Sequence, residues 1–296
     1  MTSNPFSAQE TVSAFIKRAT SRLAAAGVDS PRLSAELILG HVLAVRREYL
    51  LTHPERALHE TEYRAAMELL RRRNQGEPVA YLLGRREFYG REFLVNEHTL
   101  IPRPETELLV DLALEGQDHA APGLIVDLGV GSGCILLTLL RELPGRTGLG
   151  ADISAPALAV AGENAARLGV AGRCALMLAD MTTPVFKKHS LRLLISNPPY
   201  ISPNDYATLS REVAAYEPQT ALLSPHNGLH HLAALEELGR ESLAPGGVLL
   251  LEMGSDQGQS GPALFNRAPR FWDSVEMHCD LAGLPRIIRA QRSLVC

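Results

Sequence analysis

The stretch LIVDLGVGSG, residues 124–133, decides the fold. Leu124–Leu128 is a short apolar run of the length expected for a buried strand. The glycines that follow let the backbone turn sharply and let a ligand approach the amides at the start of the next helix. That helix is expected over Cys134–Leu143. Downstream, strand and helix signals alternate: GLGADI (148–153), CALMLAD (174–180), LRLLISN (191–197) and VLLLEM (248–253) read as strands. Ala155–Leu168 and Leu229–Leu243 read as helices. Such alternation predicts parallel βαβ units with helices on both faces of one sheet.

Upstream the pattern changes twice. Gly76-Glu77-Pro78, Gly84, Gly90 and two prolines punctuate short extended pieces at Glu87–Phe88 and Phe93–Val95, so residues 76–105 read as a hairpin-bearing linker. Residues 7–74 read as short helices. Val12, Phe15, Ile16, Ala19 and Leu23 recur at helical spacing, with Gly27 placed to end that helix. Ser30-Pro31 reads as an N-cap followed by proline at the first helical position, opening a helix over Arg32–Val45. Another spans Glu60–Asn74 and ends in Arg71-Arg72-Arg73, a run whose ordinary reading is a solvated helix end. The expected domains are a helical substrate-recognition domain (1–75), the linker (76–105) and a catalytic domain (106–296).

Composition narrows the function classes. With 46% hydrophobic and 21% charged residues in 296, the chain is an ordinary globular protein and not a disordered one. Residues 1–75 carry 11 Lys+Arg against 8 Asp+Glu, whereas the whole chain has a net charge of −4. The acidic balance of the later part disfavours a protein built to coat nucleic acid. The longest apolar runs fall well short of a membrane span, and the first residues lack the order of a secretory signal. Cys134, Cys174, Cys279 and Cys296 are scattered without a C-x-x-C pair, which argues for idle thiols in a reduced cytosol and against zinc or disulfides. A cytoplasmic monomer is the expectation.

The chemistry sits in two loops. Asp127-x-Gly129-x-Gly131-x-Gly133 departs from the dinucleotide fingerprint at its third glycine, which disfavours an NAD enzyme. Asp152 closes the second strand, where a carboxylate can accept both hydroxyls of a ribose. A glycine turn kept for structure alone is the alternative. The second loop is Ser196-Asn197-Pro198-Pro199-Tyr200, directly after the strand LRLLI. Its prolines stiffen the chain and remove donors, leaving carbonyls as acceptors. Asn197 Oδ1 and the Pro198 carbonyl suit the two hydrogens of a planar NH2 group, and Tyr200 offers a flat face. Accepting both hydrogens pulls an amide nitrogen toward tetrahedral geometry and localises its lone pair for in-line attack on a sulfonium methyl.

The glycine motif resembles the first motif of class I S-adenosylmethionine methyltransferases, and N-P-P-Y is shared by amino-methyltransferases acting on DNA adenine and on protein glutamine. Ile101-Pro102-Arg103-Pro104-Glu105-Thr106-Glu107 discriminates between these. Together with Gly76-Glu77-Pro78, Arg86-Glu87-Phe88 and Glu217-Pro218, it resembles the PrmC/HemK family of protein-(glutamine-N5) methyltransferases. The resemblance runs from Ser30-Pro31-Arg32 to the last strands. It implies a Rossmann-like, mostly parallel seven-stranded sheet behind a small helical domain. It also implies methyl transfer from S-adenosylmethionine to the Gly-Gly-Gln glutamine of class 1 peptide chain release factors. The implied cofactor site is Gly129, Val130, Gly131, Ser132, Gly133, Asp152 and Asn197, with Asp180 and Met181 on the adenine side; Met181 stands where the family often has an aromatic. The implied glutamine site is Asn197, Pro198, Pro199 and Tyr200, with Asn197, Pro198 and Tyr200 carrying catalysis. Arg103 and Glu105 suit either a linker role or ligand contact.

Rival readings are an adenine methyltransferase acting on a flipped base, a branch that methylates a ribosomal protein, and a non-catalytic nucleotide-binding module. The first lacks a basic target-recognition segment, the second carries a different version of the I-P-R-P-E-T-E stretch, and the third need not retain Asn197 and Tyr200. His226 and His230 are separated by the helix-breaking Asn227-Gly228 and read as a solvated pair, not a metal site. Phe271 and Trp272 read as core of a late strand. The basic front domain, including Arg71–Arg73, is expected to face an acidic partner.

Overall fold

The computed structural model describes residues 10–115, 122–183 and 186–294; Cys296 and the start of the helical reading at residue 7 lie outside them. The chain divides into two compact units, one of residues 1–84 with 211–216 and one of residues 85–210 with 217–296. The division falls inside the stretch read as a linker.

The first unit is helical: α1 (Val12–Ala25), α2 (Pro31–Val42), α3 (Arg47–Thr52), α4 (Glu60–Asn74) and α5 (Val79–Leu83), with a further helix at Arg211–Tyr216. Thr11 caps α1 by accepting the Ala14 amide, and Val12, Phe15, Ala19 and Leu23 bury one face of it. Gly27 follows in the left-handed region, donating to the Ala24 carbonyl. Ser30 corrects one expectation: it precedes α2 with φ 48° and makes no side-chain cap, so Pro31 alone sets the start. The arginine run corrects another. Arg73 is 3% exposed and pairs with Glu212 at 2.7 Å, and Arg72 and Arg71 are held by Glu77 and Glu68. Arg73 thus braces the helical unit from within, whereas Arg71, ion-paired with Glu68 on its own helix, stays at the solvated surface.

The second unit opens with an antiparallel hairpin, β1 (Arg85–Phe88) and β2 (Arg91–Leu94). Helix α6 (Glu107–Leu114) precedes β3 (Gly123–Leu128), α7 (Cys134–Glu142), β4 (Arg146–Asp152), α8 (Ala155–Arg167), β5 (Cys174–Leu178) and β6 (Leu191–Ser196). A helix at His230–Ser242 then leads to β7 (Leu243–Glu252), β8 (Trp272–Cys279) and β9 (Pro285–Arg292). The seven strands order as β5-β4-β3-β6-β7-β9-β8. β3 to β7 pair in parallel, while β9 runs antiparallel to both β7 and β8. This is the seven-stranded, mostly parallel sheet that the sequence resemblance implies.

Both faces of the sheet are covered, so its strands read as apolar runs. Ile125 packs with α6 and α7 residues such as Leu109 and Leu136, while Val126 and Leu128 pack on the opposite face with Leu232, Leu235 and Trp272. The chain order reverses between β3 and β6, which opens a crevice at their carboxyl ends. Among the described residues no helix is long and apolar enough to cross a membrane.

Candidate active site

The crevice is a cavity of about 500 Å³, walled by the ends of β3, β4, β5 and β6 together with residues 98–106 and 218–225 and His230–His231. Of the expected site residues, Gly129, Val130, Gly131, Ser132, Asp152, Asp180, Met181, Asn197 and Pro199 line it. Gly133, Pro198 and Tyr200 do not.

The glycine loop is a backbone device. Gly129, Gly131 and Gly133 all have positive φ, at 75°, 53° and 83°. The Gly129 and Val130 amides bind the Ala151 carbonyl at 2.8 and 3.0 Å, tying the loop to β4. A Cβ on Gly129 would lie 2.8 Å from Met181 Cε, the flexible end of a side chain that bounds the cavity, and the positive φ there disfavours any other residue. Gly133 is structural: it starts α7, and a Cβ there would meet Leu137 at 2.7 Å.

The acidic strand ends are fixed by amides. Asp152 Oδ2 accepts the Gly131 N–H and Oδ1 the Ser154 N–H, both at 2.9 Å. Asp180 Oδ1 accepts the Thr182 amide and hydroxyl, each at 2.8 Å, which holds this carboxyl below its usual range. Asp127, in contrast, points into the interior with 1% exposure and neither oxygen hydrogen-bonded. Burial, with a smaller push from Asp152, lifts it to about 7.

The N-P-P-Y loop rests on side chains from elsewhere. Asn197 Nδ2 donates to Thr106 Oγ1 at 3.2 Å, and Thr106 donates to Glu252 Oε2 at 2.7 Å. The Tyr200 hydroxyl donates to the other oxygen, Glu252 Oε1, at 3.4 Å. Glu252, at the end of β7, is 2% exposed, and burial lifts it to about 7 despite the Thr106 hydrogen bond and the Arg286 charge. Burial and the Glu252 charge together push the Tyr200 phenol up. The Tyr200 carbonyl accepts from Gln257 Nε2 at 3.2 Å, and Gln257 Oε1 takes the Gly254 amide at 3.0 Å. Gly228 packs so closely that a Cβ would stand 2.1 Å from the Tyr200 oxygen. Tyr200 thus stands outside the cavity lining, with its hydroxyl anchored on Glu252.

The I-P-R-P-E-T-E and Glu217-Pro218 stretches form one unit. Glu217, 4% exposed, accepts Arg103 Nη2 at 2.5 Å and the Ile101 amide at 3.2 Å. Arg103 lines the cavity from this mooring.

Sequence reasoning missed Thr106 as a site residue, and Glu252, Gln257, Ser224 and His231 altogether. His231 lines the cavity, bonds Ser224 Oγ through Nδ1 at 2.9 Å, and is held below its usual pKa by burial. His226 and His230 are both exposed, and among the described residues no His/Cys/Asp/Glu group is arranged to hold a metal. Burial pushes the Cys134 thiol up to about 12 and Cys174 to about 11, so neither supplies a thiolate nucleophile; Cys279 is exposed.

Residues 14–84 match the PrmC N-terminal domain and residues 105–215 the methyltransferase small domain. A release factor glutamine methyltransferase of Nitratidesulfovibrio vulgaris is 47% identical over 99% of both chains. One from Vibrio cholerae is 42% identical over 84% of this chain and 86% of its own. Among solved structures, an RNA methyltransferase from Salinibacter ruber in complex with S-adenosyl-L-homocysteine is 18% identical. It covers 66% of this chain and 94% of its own, with a TM-score of 0.40.

Proposed function

The chain belongs to the release factor glutamine methyltransferase family, and from that premise we propose how its cavity works. The enzyme transfers the methyl group of S-adenosylmethionine to the side-chain nitrogen of the Gly-Gly-Gln glutamine in class 1 peptide chain release factors. The observation that carries this reading is Asn197: it lines the cavity and spends its NH2 on Thr106, which leaves Oδ1 as the acceptor it offers.

The residues present fit the methyl donor. The Gly129 cradle is one that a Cβ would fill, and each Asp152 oxygen takes a single amide, leaving acceptor capacity on both for ribose hydroxyls. Gly129–Ser132 shape the floor, with Gly133 turning the chain into α7 behind it; Asp152 binds the ribose, and Asp180 with Met181 bounds the adenine side. When bound, S-adenosylmethionine supplies an electrophilic methyl on a positively charged sulfur. Asn197 Oδ1 and the Pro198 carbonyl accept the two N–H hydrogens of the substrate amide and localise its lone pair on nitrogen. Pro199 stiffens the loop, and Tyr200, anchored through its hydroxyl on Glu252, keeps Pro198 and Pro199 in register for the glutamine. No covalent enzyme intermediate is required; the contribution is orientation and preorganised acceptors.

The same proposal assigns residues 1–75 to recognition of the factor, 76–105 to a linker and 106–296 to catalysis, in a cytoplasmic monomer that needs no nucleic acid. Light scattering of the purified protein checks the last point and should return one chain mass. The functional test is methyl transfer from labelled S-adenosylmethionine to a class 1 release factor, its Gln→Ala loop variant and adenine-containing duplex DNA. Label on the wild-type factor only is expected, and label on DNA would overturn the reading.

A further inference from the structure

An asparagine amide can present either end to a cavity, and only its oxygen is useful at this site. What decides the orientation is buried behind it. Thr106, 2% exposed, has one proton and gives it to Glu252 Oε2 at 2.7 Å. Its oxygen then has only lone pairs to offer, so the group it meets at 3.2 Å must be a donor, the Asn197 NH2. Glu252 receives Tyr200 on its other oxygen and therefore acts as acceptor toward both neighbours.

We infer that Thr106 and Glu252 are positioning residues that fix which end of the Asn197 carboxamide faces the substrate. The inference rests on the proposed role of Asn197 Oδ1. Hydrogen-bond polarity passes in one direction, from a carboxylate with no proton, through a hydroxyl with one, to an amide whose oxygen is left over. If Glu252 gains a proton, the carboxyl becomes a donor, and Thr106 is released to donate instead of accept. The Asn197 amide then gains nothing by keeping its nitrogen toward Thr106, and the substrate loses its acceptor.

The groups that face Glu252 come from several elements. Thr106 and Glu105 stand on the turn before α6, Tyr200 on the loop after β6, Cys134 at the start of α7, and Arg286 on β9. Arg286 is itself paired with Asp280 at 2.9 Å and is the cation among them that favours the carboxylate, whereas Glu105 opposes it. With burial outweighing these, Glu252 titrates at about 7, within reach of ordinary assay conditions. Activity is therefore present above that pH and lost as pH falls through it.

The test uses the full chain, its release factor substrate and the variants Thr106→Val, Thr106→Ser and Glu252→Gln. Thr106→Val should lower kcat by about tenfold or more, the scale of one misdirected hydrogen bond at a preorganised site, with KM and S-adenosylmethionine affinity within about twofold. Thr106→Ser restores the hydroxyl and should recover most of that loss. Glu252→Gln still accepts from Thr106 but has no proton to gain in this range. Its kcat should fall by no more than a few-fold, and the acid limb of the pH profile should vanish. A Thr106→Val enzyme with unchanged kcat, or an acid limb that survives in Glu252→Gln, overturns the inference. If Thr106→Val does not fold by circular dichroism, the serine and glutamine variants still decide it. Nuclear magnetic resonance of the Asn197 side-chain amide gives an arm free of substrate: its signals should shift as Glu252 titrates in the wild type and stay fixed in Glu252→Gln. Absence of methyl transfer by the wild type would instead defeat the functional reading, and the resonance arm would still judge the relay.

Discussion

The two loops that meet at the cavity are built on opposite principles. The glycine loop after β3 is made of backbone: three positive-φ glycines, two amides on the Ala151 carbonyl, and Asp152 one strand away. The N-P-P-Y loop after β6 is held by side chains remote in sequence, with Thr106, Gly228, Glu252 and Gln257 converging on Asn197 and Tyr200. The first kind of site is written within a few consecutive residues. The second depends on where the sheet places distant strand ends. Cofactor binding should accordingly fail through local backbone changes, and methyl transfer through substitutions far along the chain.

The largest expected effect is at the acceptor. Asn197→Ala removes the Oδ1 group and should lower kcat by about 10²–10³-fold, the range seen when one preorganised electrostatic contact is deleted. Single-turnover transfer at saturating methyl donor measures this; a loss confined to donor affinity would place Asn197 on the cofactor side alone. Next is Gly228→Ala. Its Cβ would fall 2.1 Å from the Tyr200 oxygen at a φ of 79°, so the N-P-P-Y loop must shift. A loss of about 2–3 kcal/mol in stability by denaturant titration is expected, with activity falling further than the folded fraction. Unchanged activity would show that the loop does not depend on this contact.

Gly129→Ala sharpens the contrast from the other side. The new methyl meets Met181 Cε, a flexible side-chain end, in a conformation that alanine adopts poorly. Donor affinity by calorimetry should weaken by about tenfold, equivalent to about 1.4 kcal/mol, while kcat at saturation changes little. A kcat loss instead would blur the division between the two loops.

Much of this was legible in the sequence. Apolar runs of strand length alternating with helical stretches were enough for the sheet, because strands buried on both faces carry their own signal. The glycine loop was legible because positive φ selects glycine. Thr106 sat in plain view inside I-P-R-P-E-T-E, yet its role needs Glu252, 146 residues away, which reads in sequence only as the end of an apolar strand. Arg73 misled for the same reason: a basic run reveals nothing of which member is buried, and its partner Glu212 lies far along the chain.

The smallest expected effect concerns Asp127, the buried carboxyl beneath the glycine loop. Its folded pKa, at about 7, stands above the unfolded value of 3.8. The stability this group contributes is therefore fully present below pH 3.8 and lost as pH rises through about 7. Asp127→Asn should raise Tm relative to wild type above neutrality and give no gain in acid, measured by thermal melts across pH. Identical pH slopes in the two proteins would mean that Asp127 is not taking up a proton in the folded state.

The most direct test of the central claim is to locate the methyl group by fragment mass spectrometry after reaction with a class 1 release factor, using wild type and Asn197→Ala at equal donor occupancy. The account requires one methyl, on the side-chain nitrogen of the Gly-Gly-Gln glutamine, and its near absence with the variant. A methyl at another residue, or the same yield from Asn197→Ala, would contradict it.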